Sequence, residues 1–155
     1  MKKIQLSNGG FAMVDDEDYE GLSKYLWYSY CGYAYRTVSR LLGKKNISMH
    51  VDLLGKKDGL EIDHIDGNRL NNQKSNLRFC TRSQNQINKK LQKNNTSGYK
   101  GVSKRSDSYV AQIKNNGKVK YIGSFRSAEE AARAYDKEAK KTYGEFAHLN
   151  FSEKG

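Results

Sequence analysis

Asp63 and His64 stand side by side, Asp66-Gly67 follows at once, and Asn76, Asn85 and Asn88 come further along the chain. A carboxylate beside an imidazole, with spaced carboxamides, can hold a hard cation and move a proton. Adjacent residues of a strand point to opposite sides of it, so Asp63 can face a metal while His64 faces a nucleophilic water. Carboxylate and carboxamide oxygens suit Mg²⁺, or a similar divalent cation such as Mn²⁺, which keeps several of its waters. A neutral His beside it accepts a proton from water near neutral pH.

These side chains need elements to carry them. A short alternating run ends at Asp63-His64, and Asp-Gly between strand-like runs signals a hairpin turn. Asn76 to Cys80 reads as the return strand. Thr81 then reads as an N-cap, with Gln84 at the capping-box position. Ile87 and Leu91, at i, i+4 spacing, mark the buried face of the helix that follows, and Asn85 and Asn88 lie away from it. A unit of strand, loop, strand and helix over 61–88 is too small to bury much core. Its polar residues therefore need a reason other than packing.

This stretch resembles the HNH (ββα-metal) nuclease motif, in its phage and intron-encoded homing branch, with the unit at about 60–91. The matching residues are Asp63-His64, Asn76 and Asn85. Asn76 lies twelve positions and Asn85 twenty-one positions beyond His64. The resemblance implies that Asp63 and Asn85 hold the metal and that His64 is the general base. It implies that Asn76 braces the loop and orients His64. The last motif position is Asn rather than His, as this branch uses, and Asn88 competes for the metal contact. His50 sits where related proteins read His-Arg, but Val51 follows it here. His50 stays a further candidate, with a packing role the plainer reading.

Composition narrows the partner. The chain has 155 residues and a formal charge of +11, and its mean hydropathy is −0.91. The excess is +2 over 1–59, +4 over 60–96 and +5 over 97–155. Such a balance favours a polyanion, and nucleic acid is the commonest one. Eleven tyrosines are expected to build much of a small core, with their hydroxyls at its edge. Cys31 and Cys80 form no C-x-x-C pair, which argues against a zinc ribbon or a disulfide framework and for a reducing cytosol. No run reaches a membrane span, and the N-terminus has no signal-like apolar stretch.

Upstream, residues 1–14 read as a hairpin turning at Asn8-Gly9. Asp15 to Asp18 open a helix to about Lys24 and read as its solvated start. Residues 25–38 read as aromatic strands folded about Cys31-Gly32, with Arg36 and Arg40 able to reach phosphates. Residues 43–46 read as a basic turn. Residues 91–98 form a polar linker, which puts a boundary near 96 and domains at 1–96 and 97–155.

The last third holds three strand signals, Tyr99–Arg105, Tyr109–Lys114 and Lys118–Phe125, with Asn116-Gly117 as a hairpin turn. Ser127, with Glu130 at the capping-box position, starts a helix whose alanines lie close on a sheet, and Gly144 ends it. Residues 98–151 resemble the ethylene-response-factor (APETALA-type) DNA-binding domain through SGYKGVSKR, YVAQIK, YIGSF, SAEEAARAYD and LNF. That family lays its sheet in the major groove. By position, the resemblance implies that Lys100, Arg105, Gln112, Lys114 and Tyr121 face DNA. Ser103 and Val119 stand where that family usually has Arg.

The expected fold class is α+β. An N-terminal hairpin scaffold carries the ββα-metal unit, and a three-stranded antiparallel sheet packed on one helix follows. The expected function is a metal-dependent DNA endonuclease, site-directed and homing-like, acting on double-stranded DNA inside a bacterial or phage-infected cell. No membrane and no obligatory protein partner are expected. The alternative is a DNA-binding regulator with an inactive nuclease unit. An RNA-binding role fits less well, because A-form RNA has no major groove wide enough for a sheet.

Overall fold

The protein is described here by a computed structural model, which covers residues 1–40, 43–87, 95–115 and 117–151. Asn88, the first half of the expected linker (91–94, with Leu91) and Asn116 lie outside the described residues, as does the side chain of Arg40. The chain forms two compact units, Met1–Arg82 and Ser83–Gly155. Its sheets are small and antiparallel and its helices few.

The first unit opens with β1 (Lys2–Gln5) paired to β2 (Phe11–Val14), Ile4 facing Ala12. Helix α1 follows over Asp16–Leu22, with three carboxylates in its first turn. β3 (Tyr28–Tyr30), β4 (Tyr33–Arg40) and β5 (Gly43–Ser48) make a meander. Cys31 and Gly32 both take positive φ in its first turn, 50° and 82°, the geometry that suits a two-residue hairpin loop.

Two expectations about its strands and core fail. Residues 43–46 are not a turn but the first part of β5, where Thr37 pairs with Asn46 and Val38 with Lys45. Lysines suit a strand with one open edge, because they discourage further pairing. The core is also not built of tyrosines. It consists of Ile4, Leu6, Ala12, Val14, Leu22, Trp27, Ala34 and Met49, with Tyr19 only partly buried against it. Trp27 fills the centre because its one polar atom is satisfied, Nε1 donating to the Leu22 carbonyl at 2.8 Å.

Helix α2 (Met49–Leu54) then seats Met49 in that core. At six residues it is too short to show a helical period in the sequence. β6 (Glu61–His64) and β7 (Leu77–Cys80) pair antiparallel, and α3 (Arg82–Ile87) begins where the two units divide.

In the second unit β8 (Val102–Lys104), β9 (Tyr109–Asn115) and β10 (Lys118–Phe125) form a sheet ordered β10-β9-β8. Helix α4 (Ala128–Tyr143) starts on a complete capping box between Ser127 and Glu130, and Gly144 follows it at φ 56°. Ala131, Ala132, Tyr135 and Ala139 pack against Val102, Ala111 and Ile113. Small side chains bring the helix so close that a Cβ on Gly101 would lie 2.0 Å from the Tyr135 ring. Here tyrosines do join the core, with Tyr99, Tyr109 and Tyr143 around Tyr135.

Candidate active site

The pairing of β6 with β7 sets Asp63 opposite Arg78 and His64 opposite Leu77. Asp63 and His64 are both buried, at 6% and 4% exposure. Their burial differs in kind. Asp63 is met by a cation, Arg78 reaching one carboxylate oxygen through Nε at 3.1 Å and Nη2 at 2.9 Å. His64 is met by rings, with the His50 centroid at 5.2 Å and the Tyr33 centroid at 5.8 Å. Burial pushes the His64 imidazole below its ordinary value, against smaller opposing effects of Asn72, Asp66 and Asp63. A buried imidazole of this kind is neutral at pH 7, the form that accepts a proton.

Asp66-Gly67 turns the chain, Gly67 N donating to the His64 carbonyl at 2.9 Å. It opens a loop that returns only at β7. Asp66 is the reason, because its carboxylate is used inside the loop. It accepts from the Asn68 backbone N–H at 2.7 Å, from Asn71 Nδ2 at 2.8 Å and from Asn76 Nδ2 at 3.0 Å. Burial opposes the Asp66 carboxylate, but these bonds outweigh it and hold the group below the usual carboxylate range. Asn76 is buried and works in both directions. Its Oδ1 accepts from the Asp66 N–H at 3.0 Å, and its Nδ2 also donates to the Asn71 carbonyl at 2.8 Å.

The N-terminal scaffold grips the same loop. Met13 N donates to the Leu70 carbonyl and Asn72 N to the Met13 carbonyl, each at 2.8 Å. Asp15 accepts from Lys74 N at 2.8 Å and Gln73 Nε2 at 3.1 Å. Lys74 Nζ meets Glu17 at 2.7 Å and Asp18 at 2.9 Å. The acidic run is therefore not a plain solvated helix start. Its charges hold down a loop whose backbone N–H and lysine supply the complement.

Asp63, His64, Asn76 and His50 thus come together in the first unit. His50 accepts or donates at Ser48 Oγ, 3.1 Å from its Nε2, and burial followed by His64 lowers it to about 4. Asn85 lies half-buried on α3, and Asn88 lies outside the described residues. Three neighbours of His64 carried no signal in the sequence. Tyr33 is one. Asn72 is another, its Oδ1 lying 3.4 Å from His64 Nε2. Arg69 is the third, its guanidinium 4.6 Å from the Tyr33 centroid and its Nη1 on the Cys31 carbonyl at 3.0 Å. An Asn in an Asn-rich run and a Tyr among many cannot be singled out by spacing.

The donor chemistry fits a hard cation better than a soft one. Asp63 offers carboxylate oxygen, and the nearby thiol is unsuited to metal. Burial, with the Asp63 and Glu61 carboxylates, raises Cys80 to about 11, and its Sγ donates to the Glu61 carbonyl at 3.7 Å. Any cation at Asp63 shares that carboxylate with Arg78. Among the described residues no three His, Cys, Asp or Glu side chains cluster as a metal site.

Of the basic residues expected at phosphates, Arg36 is engaged elsewhere, its Nε and Nη2 on Asp52 at 2.9 and 2.8 Å. In the second unit Gln112 pairs with Tyr121 and Lys114 with Val119 across β9 and β10. All four are exposed on one sheet face. Arg105 is exposed just beyond β8, and its N–H donates to the Ser108 carbonyl at 2.8 Å. Lys100 is half-buried and donates to the Ile87 carbonyl, and burial lowers it to about 8. Among the described residues no helix is long and apolar enough to cross a membrane.

Comparison with known proteins places the stretch around β6 and β7 within a known family. A family profile described as HNH endonuclease matches residues 55–87. An uncharacterized HNH endonuclease of Acanthamoeba polyphaga mimivirus is 38% identical over 147 residues, 92% of this chain and 75% of that protein. The chain belongs to the HNH endonuclease family, and is an enzyme of that class. Protein 3.8 of Escherichia phage T7 is 37% identical over 93 residues, 59% of this chain and 76% of that one. The C-terminal region is similar to plant proteins of the ethylene-response-factor type. One is dehydration-responsive element-binding protein 2D of Arabidopsis thaliana, 47% identical over 58 residues, with 36% of this chain and 28% of that protein covered.

Proposed function

We propose that the chain is a metal-dependent, site-directed endonuclease of the homing type that hydrolyses phosphodiester bonds of double-stranded DNA. A nuclease domain at 1–96 carries the ββα-metal unit, at about 60–91, and the domain at 97–155 anchors the chain on the duplex. The observation that carries this reading is the buried, neutral His64 set beside the Arg78-braced carboxylate of Asp63. One group takes a proton and the other offers oxygen to a cation, on opposite sides of one strand.

In this reading His64 removes a proton from the attacking water. Asn76 keeps the loop closed around Asp66 and so holds the end of β6 in place. Asp63 and Asn85 would hold Mg²⁺ or Mn²⁺, which would neutralise charge on the scissile phosphate and the leaving oxygen. Arg78 fixes the direction of the Asp63 carboxylate. Arg105, Gln112, Lys114 and Tyr121 present the sheet face to the major groove, where base edges carry a full donor and acceptor code. Lys100 joins that surface only by releasing the Ile87 carbonyl.

The test is cleavage of duplex DNA by His64→Ala. General-base catalysis contributes about 10²–10⁴ in rate, so the rate should fall by that factor while duplex affinity stays near wild type. EDTA should stop cleavage, and Asp63→Ala and Asn85→Ala should each raise the cation concentration required. Wild-type cleavage by His64→Ala would remove His64 from the mechanism. Duplex binding with no cleavage under any cation would favour the regulator reading.

A further inference from the structure

Asn72 is one of the most deeply buried side chains of the first unit, at 1% exposure. Its backbone is fixed by the N–H bond to the Met13 carbonyl, so the loop delivers the side chain to one place. Its Oδ1 lies 3.4 Å from His64 Nε2, while its Nδ2 is buried with no partner among the described residues. An amide donor sealed from water without a partner is a cost, and a buried exception of this kind calls for a reason other than packing. An apolar side chain of the same size would fill the space without that cost. What the carboxamide adds is its oxygen, and that oxygen faces the imidazole.

We propose that Asn72 is a positioning residue that sets the tautomer of His64. An amide oxygen can only accept, so Nε2 carries the proton and donates it to Asn72 Oδ1, and the basic lone pair stands on Nδ1. The rings of His50 and Tyr33 pack on the imidazole and oppose its rotation. The bond at Nε2 therefore also fixes where Nδ1 points. This inference rests on the reading of His64 as general base. The water's proton would move to Nδ1, leaving an imidazolium whose Nε2–H still meets an amide dipole. A ring free to exchange tautomers would present its proton to the water in part of the molecules. Partners that orient a metal-bound imidazole contribute about 10–100-fold, and a loss of that order is expected for a partner that orients a base.

The experiment uses full-length, metal-free protein labelled with ¹⁵N at histidine, and long-range ¹H–¹⁵N correlation at neutral pH. Wild-type His64 should show a protonated Nε2 and an unprotonated Nδ1. Asn72→Asp keeps an acceptor and should keep that pattern. Asn72→Leu removes it and should give mixed tautomers, with kcat on duplex DNA down by about 10–100-fold and KM unchanged. A wild-type His64 protonated on Nδ1 would overturn the proposal without any variant being needed. So would an unchanged Nε2–H pattern in a folded Asn72→Leu protein. The base assignment fails separately, if His64→Ala cuts at the wild-type rate, whatever the tautomer.

Discussion

The loop between β6 and β7 and the sheet–helix pair of the second unit solve one problem by opposite means. Both must hold functional side chains still on a small scaffold. The loop does it with directional bonds, Asp66, Asn76 and Asp15 each serving several partners. The second unit does it with close contact, alanines and Gly101 bringing α4 onto the sheet around Tyr135. Hydrogen bonds give each side chain a direction, as the proposed acid–base site would need. Apolar packing is indifferent to direction but leaves a whole sheet face free to be read.

That contrast can be broken from either side. Gly101→Ala should do the most damage. Its φ of 73° disfavours a side chain, and the new Cβ would overlap the Tyr135 ring. Strain and overpacking together suggest a loss of about 3 kcal/mol or more. Urea unfolding should show it in the second unit alone, with the Trp27 transition of the first unit unmoved.

The next test is acid. His50 is held near 4 in the fold by burial and His64, against about 6.5 unfolded. Tyr33, His64 and Ser48 are the groups that face it. Between those values the unfolded chain binds the extra proton, so stability rises with pH. The contribution is fully present above about 6.5 and is lost as pH falls toward 4, at about 1.4 kcal/mol per unit. Denaturant midpoints at pH 7 and pH 5 should differ accordingly, and His50→Phe should flatten that part of the curve.

Asp15→Ala should cost less, about 1 kcal/mol for its bonds to Gln73 and Lys74. If the loop depends on directional bonds, cleavage should drop more than stability suggests, with DNA affinity intact. An unchanged rate would mean that Asp66 and Asn76 hold the loop alone. The smallest effect is expected at Lys114→Ala. If Lys114 neutralises one phosphate, the log–log salt slope of duplex binding should flatten by about one. A slope unchanged within error would move the anchor off the β9–β10 face.

The second unit was the more legible in sequence because its forces are periodic. Alternation along β9, alanine spacing on α4 and the Ser127–Glu130 box each reflect one local rule, and the structure has all three. In the first unit the placement of Asp63 and His64 at the end of one strand and Asn76 beside the next was legible, but not what surrounds them. The grip of Asp15 on Lys74 spans 59 positions, and Asn72 meets His64 across a loop. Neither has a period. The use of the Asp66 carboxylate was missed for the same reason, since its three carboxamide and backbone partners lie two, five and ten positions away. Arg36 was misread likewise, since Asp52 lies sixteen positions away.

One feature of the second unit reaches further than stability. Asn150 Oδ1 accepts from Lys100 N at 2.6 Å, and its Nδ2 donates to the Lys100 carbonyl at 3.1 Å. Asp136 on α4 takes the backbone N–H of Asn150 and of Phe151 at 2.9 Å each. The segment just before β8 and the segment that follows α4 are buttoned to each other, and the latter is tied to α4. A module whose entry and exit lie together can be spliced between unrelated neighbours without disturbing its own interior. Such a module is portable, and its recurrence beside a nuclease here and within plant regulators elsewhere is what that portability allows.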